Sequence, residues 1–313
     1  MRLILFLFIF SLFIVNSFGQ QSTIVKKNVS DTILNEKRTL NIPSDSFHSM
    51  KVMQKLFPGK LYDLSSKDYQ DFFISWECKK CRPAVNIERE FPYTDGVITR
   101  LRKTINYKDS KGNEFKILVF NHSSFFENEE DKRHGIKGIL GLAKFAKING
   151  NWQIRSFQPA VGEFGSYGQC PAPDLIVIGE DQYALTINNK FKLNGGPTIS
   201  SLILIAGNNG KYSRILTVDM YEQLKSINCC DRVTWESTIK VDQNSKKQYY
   251  RDVIVTTKGK YNRPGPNEDD SVPNEIESFT KNKKSFRFVI EKRYIFNGKQ
   301  YVLKGKPIVT ILH

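Results

Sequence analysis

The sequence predicts a mainly β protein, an antiparallel sandwich, barrel or propeller-like hairpin array with a short helical N-terminal part. Three observations carry that expectation. From about residue 97 to the end, short apolar stretches are separated at near-regular intervals by Gly, Asn and Asp clusters, the pattern of strands joined by tight turns. Helical spacing of apolar residues is convincing only before residue 77. Aromatics are abundant, 22 Phe, 13 Tyr and 3 Trp, so the chain is unlike the aromatic-poor disordered class even after five Phe are set aside with the leader described next.

That leader occupies residues 1–19. Arg2 is its only charge, 3–15 is apolar apart from Ser11, and Ser17 and Gly19 put small residues at −3 and −1 of a cut, as in a secretory signal peptide. The run is shorter than the ~18 apolar residues a membrane span needs, and no Cys follows Gly19 to carry a lipid. The expectation is a secreted or periplasmic protein with no transmembrane anchor after cleavage. Residues 20–43 are polar and aperiodic and end at Pro43, which reads as a flexible arm.

A helical N-terminal part is expected over 44–90. Ser44, Asp45 and Ser46 offer caps, Phe47, Met50, Met53, Leu56 and Phe57 recur at helical spacing, and Pro58-Gly59 is a stop. A second helix is expected after Ser65 and Asp68, with Tyr69, Phe72, Phe73 and Trp76 on one face. The antiparallel β-domain then fills 91–313. Its hairpins pair 97–107 with 114–121, 140–148 with 152–157 across Asn149-Gly150, 175–178 with 183–187, 202–206 with 212–218, 233–241 with 249–257, and 286–296 with 300–304 across Asn297-Gly298. Residues 258–284, with Pro264, Pro266, Pro273 and the acidic Glu268-Asp269-Asp270, read as a long exposed loop. No internal repeat is found, which counts against a propeller.

The net charge is +15, mostly scattered Lys, so it describes a solvated surface unless the fold gathers it. Five cysteines remain, Cys78, Cys81, Cys170, Cys229 and Cys230. In an oxidising compartment they are disulfide candidates with one left over. Trp76 beside Cys78-Lys79-Lys80-Cys81 superficially resembles the thioredoxin active site, and Gly196-Pro197-Thr198 that family's cis-proline segment. The cysteines do not open a helix, however, and hairpins rather than alternating strands and helices separate the two segments. A zinc site is opposed by the adjacency of Cys229 and Cys230, which on a strand point to opposite faces. One long-range bridge from Cys229 or Cys230 to Cys78 or Cys81 is therefore expected, and no metal or cofactor.

The segment 162–173 stands apart, with Gly162, Gly165 and Gly168 around Phe164, Ser166 and Tyr167. It suits a sugar- or peptide-binding rim or a wide turn between hairpins. It fails the nucleophile-elbow pattern because Phe164 stands at the first glycine position. His122 lies beside Ser123 and Ser124, but triads assemble in space and not in sequence. Carboxylate pairs for glycoside cleavage leave no local signature. Aromatics among basic residues near the C-terminus could mimic a nucleic-acid surface, yet Phe286, Phe288 and Ile290 alternate onto one face, so core burial is simpler and no nucleic acid is expected.

The stretch from Ala143 through Trp152, the 162–168 loop and Ile178-Gly179 resembles uncharacterised exported β-rich proteins of the Bacteroidota type. That resemblance implies export and a β-rich fold, and brings no activity. The reading is a binding module for an envelope glycan, an anionic polymer or a protein partner. Its alternatives are a hydrolase whose carboxylates only the fold assembles, and a purely structural envelope protein.

Overall fold

A computed structural model describes residues 27–67, 70–85, 87–125, 136–192, 198–208, 210–225, 231–263 and 272–312. The leader, Cys229, Cys230 and the Gly196-Pro197 segment lie outside them. The first sheet is built from β1 (Lys27–Asn28), β2 (Asn41–Pro43), β3 (Lys60–Asp63), β4 (Phe72–Glu77), β5 (Val97–Lys108), β6 (Glu114–Ser124), β7 (Gly138–Ile148) and β8 (Asn151–Phe164). Its order is β1-β4-β5-β6-β7-β8-β2, with β3 on β4. The second contains β9 (Asp174–Gly179), β10 (Gln182–Lys192), β11 (Thr198–Asn208), β12 (Lys211–Lys225), β13 (Asp231–Val241), β14 (Val253–Asn262), β15 (Ser285–Phe296), β16 (Tyr301–Leu303) and β17 (Ile308–Leu312). It runs β16-β15-β14-β13-β12-β11-β10-β9, with β17 on β15.

All six expected hairpins form. The β7–β8 turn shows why. Asn149 and Gly150 both have positive φ, 48° and 75°, the pair of values a two-residue turn matched to strand twist requires. The protein is thus two sheets built around the up-and-down runs β4–β8 and β9–β16, one a curled half-barrel. In the second sheet distant strands are brought together, since Arg251 N–H donates to the Ile178 carbonyl and Glu180 N–H to that of Gln248. The sheets pack on each other through Ile105, Ile117 and Leu142 from the first and Leu185, Ile187 and Ile205 from the second.

The expected first helix is present as a turn at Ser44–Ser46 followed by α1 (Ser49–Leu56), which buries Val52, Met53 and Leu56. These side chains, with Phe57 and Phe91, cover the first sheet's face at Trp76, Phe120 and Phe145. The expected second helix is instead strand β4, paired with β3 and β5. Phe73, Ile74 and Trp76 are all buried. A strand sends Phe73 to one face and Ile74 and Trp76 to the other, and both faces are covered, so tertiary pairing overrides a coincidental helical stripe.

The arm is not loose over its described part. β1 pairs with β4, β2 with β8, and Ile33 and Ile42 enter the core. The Arg38 guanidinium further donates to the carbonyls of Ile33, Lys55 and Leu56. The expected loop at 258–284 is also shorter than its composition suggests. β14 runs on to Asn262, and α2 (Glu277–Thr280) follows Ile276, which is fully buried among Trp235, Tyr261 and Phe288.

Candidate functional site

The 162–173 segment is a pinned turn. Gly165, Tyr167 and Gly168 take positive φ. The Asn121 side chain, itself buried, donates to the Gly168 carbonyl and accepts from Cys170 N–H. Phe164 lies in the core between the sheets at 2% exposure, which removes it from any binding rim. Phe164 ends β8 opposite Gly138 of β7, and that pairing sets its face. Ser166 pairs with Gln169 across a bridge, and Tyr167 is the exposed member of the trio.

Cys78 and Cys81 are disulfide-bonded to each other, with Cα atoms 5.5 Å apart. The expected long-range bridge to either is thereby corrected to a local one, because the chain turns straight after β4 and returns the second thiol to the first. Their segment follows a strand, and the helix-start geometry of a reactive thiol is missing here. Cys170 is a free thiol, buried, with its pKa pushed up by that burial, so it is held as the neutral thiol.

His122 also takes a structural place. Its Nε2 lies 3.0 Å from the Pro159 carbonyl, which can only accept, so Nε2 carries the proton. Nδ1 is then the acceptor for the Thr99 hydroxyl at 2.7 Å, and that oxygen accepts from Trp76 Nε1 at 2.7 Å. Phe57, Phe91 and Phe120 surround the ring. Burial pulls its pKa down to about 3. Neither Ser123 nor Ser124 is its partner in this chain of hydrogen bonds.

An open cleft lies on one face of the second sheet. Cross-strand register places Glu222, Trp235, Gly259 and Phe288 in one row, then Ser237, Thr257 and Ile290, then Ile239, Val255 and Lys292, then Val241, Val253 and Tyr294. One apolar cluster fills the end at Leu204, Val218 and Val253, and another the end at Trp235, Tyr261 and Phe288. Between them is a cleft of about 340 Å³, edged by Asp219 and Glu222 of β12 on one side and Pro273, Asn274 and Glu275 on the other. This size is in the range of small-ligand sites.

The packing beneath the cleft is tight. A Cβ on Gly259 would come within 2.3 Å of the Phe288 ring and 2.7 Å of Trp235 Cβ, so the glycine lets Phe288 lie across the sheet beside the indole. Ser237 and Thr257 share a hydrogen bond at 2.7 Å. Lys292 Nζ meets Glu275 at 2.6 Å. Tyr294 has its pKa raised, first by burial, then by Glu275 and Asp219 against the opposing Lys292. The Trp235 N–H is buried with no acceptor among the described residues, the kind of unmet donor that calls for an explanation.

Sequence reading missed this cleft, although a signal existed. On β13, β14 and β15 the inward apolar alternation is broken once each, at Ser237, Thr257 and Lys292. Only the register reveals that the three breaks are neighbours.

The architecture therefore defines a two-sheet, mainly antiparallel β protein with an open cleft on its second sheet. Compared with protein-family models, with curated proteins and with solved structures, the chain finds no match. Among the described residues, no helix is long and apolar enough to cross a membrane, and no group of three or more His, Cys, Asp or Glu is placed to hold a metal ion.

Proposed function

We propose that the protein is an exported glycan-binding module whose ligand lies in the concave cleft of the second sheet. The observation that carries this reading is the belt of polar groups between two apolar clusters on a single face. Carboxylates at Asp219 and Glu275 accept from sugar hydroxyls, the Asn274 amide and Lys292 donate to them, and Tyr294 offers a ring to the apolar face of a pyranose. The leader at 1–19 supports export to a compartment where envelope glycans are at hand.

A titration of the purified full chain with a panel of envelope-type oligosaccharides, read by calorimetry, tests the reading. At least one should bind, and Tyr294→Ala should weaken it roughly tenfold, the equivalent of ~1.4 kcal/mol. Absence of binding across the panel, or binding indifferent to Tyr294→Ala, would remove the cleft as the site.

A second reading rests on one observation, that three carboxylates, Asp219, Glu222 and Glu275, line a single cleft. Glycoside hydrolysis uses a pair of such groups. New reducing ends released from a bound oligosaccharide, lost in Asp219→Asn and Glu275→Gln, would turn the binding module into an enzyme.

A further inference from the structure

We infer that a second pocket, between the two sheets, binds a small carboxylic acid built on a single apolar ring. It shares no lining residue with the cleft, so this site stands apart from the glycan reading. Its volume is about 170 Å³, and cavities of ~150 Å³ take a benzene-sized ring.

Cross-strand register builds the pocket. On the first sheet Tyr107 lies opposite Phe115, and Ile117 opposite Lys144. On the second Leu175 pairs with Leu185, Val177 with Tyr183, and Gly207 with Tyr212. Ile117, Leu185 and Tyr212 belong to the core between the sheets, so the pocket adjoins that core. The Tyr107 and Tyr183 rings meet across it at 4.6 Å.

Much of the polar lining is already committed. Asp181 accepts from the Ser110 N–H at 2.6 Å and from the Ser110 hydroxyl at 2.5 Å. Gln182 Oε1 accepts from Tyr250 N–H, the Tyr250 hydroxyl donates to the Gly207 carbonyl, and the Tyr183 hydroxyl to that of Lys108. Lys144 is different. Among the described residues it has no ion pair or hydrogen bond, only the rings of Phe115 and Tyr107 at 4.7 and 5.6 Å. The Tyr107 and Tyr212 hydroxyls likewise have no partner among them. Tyr212 is 9% exposed, and burial pushes its phenol up to about 12, so it keeps its proton. Tyr107 is raised first by burial and then by Tyr212 and Tyr183, which shows how close the phenols lie. Burial, then Arg155, holds Lys144 below the usual lysine range against the opposing Asp109. Its charge is therefore partly stripped of water with no anion beside it.

The lining charges balance, Lys144 against Asp181, so net sign does not select the ligand. The uncommitted hydrogen-bonding groups do. A carboxylate accepts from the ammonium and the phenols in charge-assisted bonds, about twice as strong as neutral ones. An amine would bring further donors to a site whose free groups already donate. Asp181 disfavours a bare anion, so the rest of the binding comes from a ring laid against Ile117, Leu175 and Leu185.

The test is calorimetry on the full chain with benzoate, benzyl alcohol, benzylamine and inorganic phosphate. Benzoate should bind about tenfold or more tightly than the alcohol or the amine, and phosphate should not displace it. Lys144→Met keeps the apolar stem and should weaken benzoate about tenfold or more. Lys147→Met, at a lysine outside the pocket that pairs with Glu114, should leave it unchanged. Tyr212→Phe removes one hydroxyl and keeps the ring, and should weaken benzoate about threefold or more. That variant decides the matter if urea unfolding shows that Lys144→Met does not fold. No benzoate binding, benzoate binding indifferent to these pocket variants, or equal binding of benzyl alcohol overturns the inference. Displacement of benzoate by phosphate overturns the ring-bearing acid in favour of a simple anion.

Discussion

Trp76 and Trp235 occupy similar settings, each buried on a strand paired on both sides, and they end in opposite polar states. Trp76 donates to Thr99, which donates to His122, which donates to the Pro159 carbonyl, a chain closed at both ends. Trp235 has an N–H with no acceptor among the described residues and borders a cleft. The difference lies in what covers each sheet. α1, Phe57 and Phe91 fill the first sheet's face with apolar side chains, and there Trp76, Thr99 and His122 find their partners within the protein. On the second sheet the described part of the covering segment inserts Ile276 beside Trp235, Tyr261 and Phe288, and a cleft borders that cluster. The cleft lies where the described covering stops.

Three changes break or sharpen that contrast. The largest effect is expected from Phe57→Ala. Phe57 is fully buried against Trp76, Phe120, His122 and Phe157, and its loss should cost ~3–5 kcal/mol in denaturant unfolding. The oligosaccharide binding proposed for the second sheet's cleft should persist at temperatures where the variant stays folded. Loss of both together would show that the two faces are one cooperative site.

Acid comes next. His122 stays neutral in the folded chain down to about pH 3, whereas the unfolded chain takes up a proton below about pH 6.5. The unfolded state thus binds more protons in that window, and stability falls as pH falls, by ~1.4 kcal/mol per unit, levelling off below the folded value. Urea midpoints at pH 7 and 4.5 should show a steeper loss in the native chain than in His122→Gln. Parallel slopes would mean that His122 is not the source.

The smallest effect separates the two tryptophans directly. Trp76→Phe removes a donor that has a partner, while Trp235→Phe removes one that has none. Beyond their shared packing loss, the first should be the more destabilising by ~1–2 kcal/mol, read from midpoints at unchanged m value. Equal losses would show that the Trp235 N–H is satisfied in solution.

Much of the fold could be read locally. Asn149-Gly150 and Asn297-Gly298 mark turns by their own conformational preferences, and the strands beside them alternate as expected. Less could be read of the candidate site. Phe164, Ser166 and Tyr167 stood out through their glycines, but those glycines serve a turn held by Asn121. The Ser237, Thr257 and Lys292 breaks looked like ordinary variation in three separate strands.

By itself the sequence determined the hairpins, their turns and their succession, because backbone preference and period-two alternation act over a few residues. It also set the leader pattern at 1–19 and the basic charge. The tertiary structure alone decided that β4 is a strand, that Cys78 closes on Cys81, that Phe164 points inward and that Asp219 faces Glu275 across a cleft. Each of these depends on which face of a strand another part of the chain covers. That is a matter of sheet curvature and of register between segments far apart in sequence, and no local pattern encodes either.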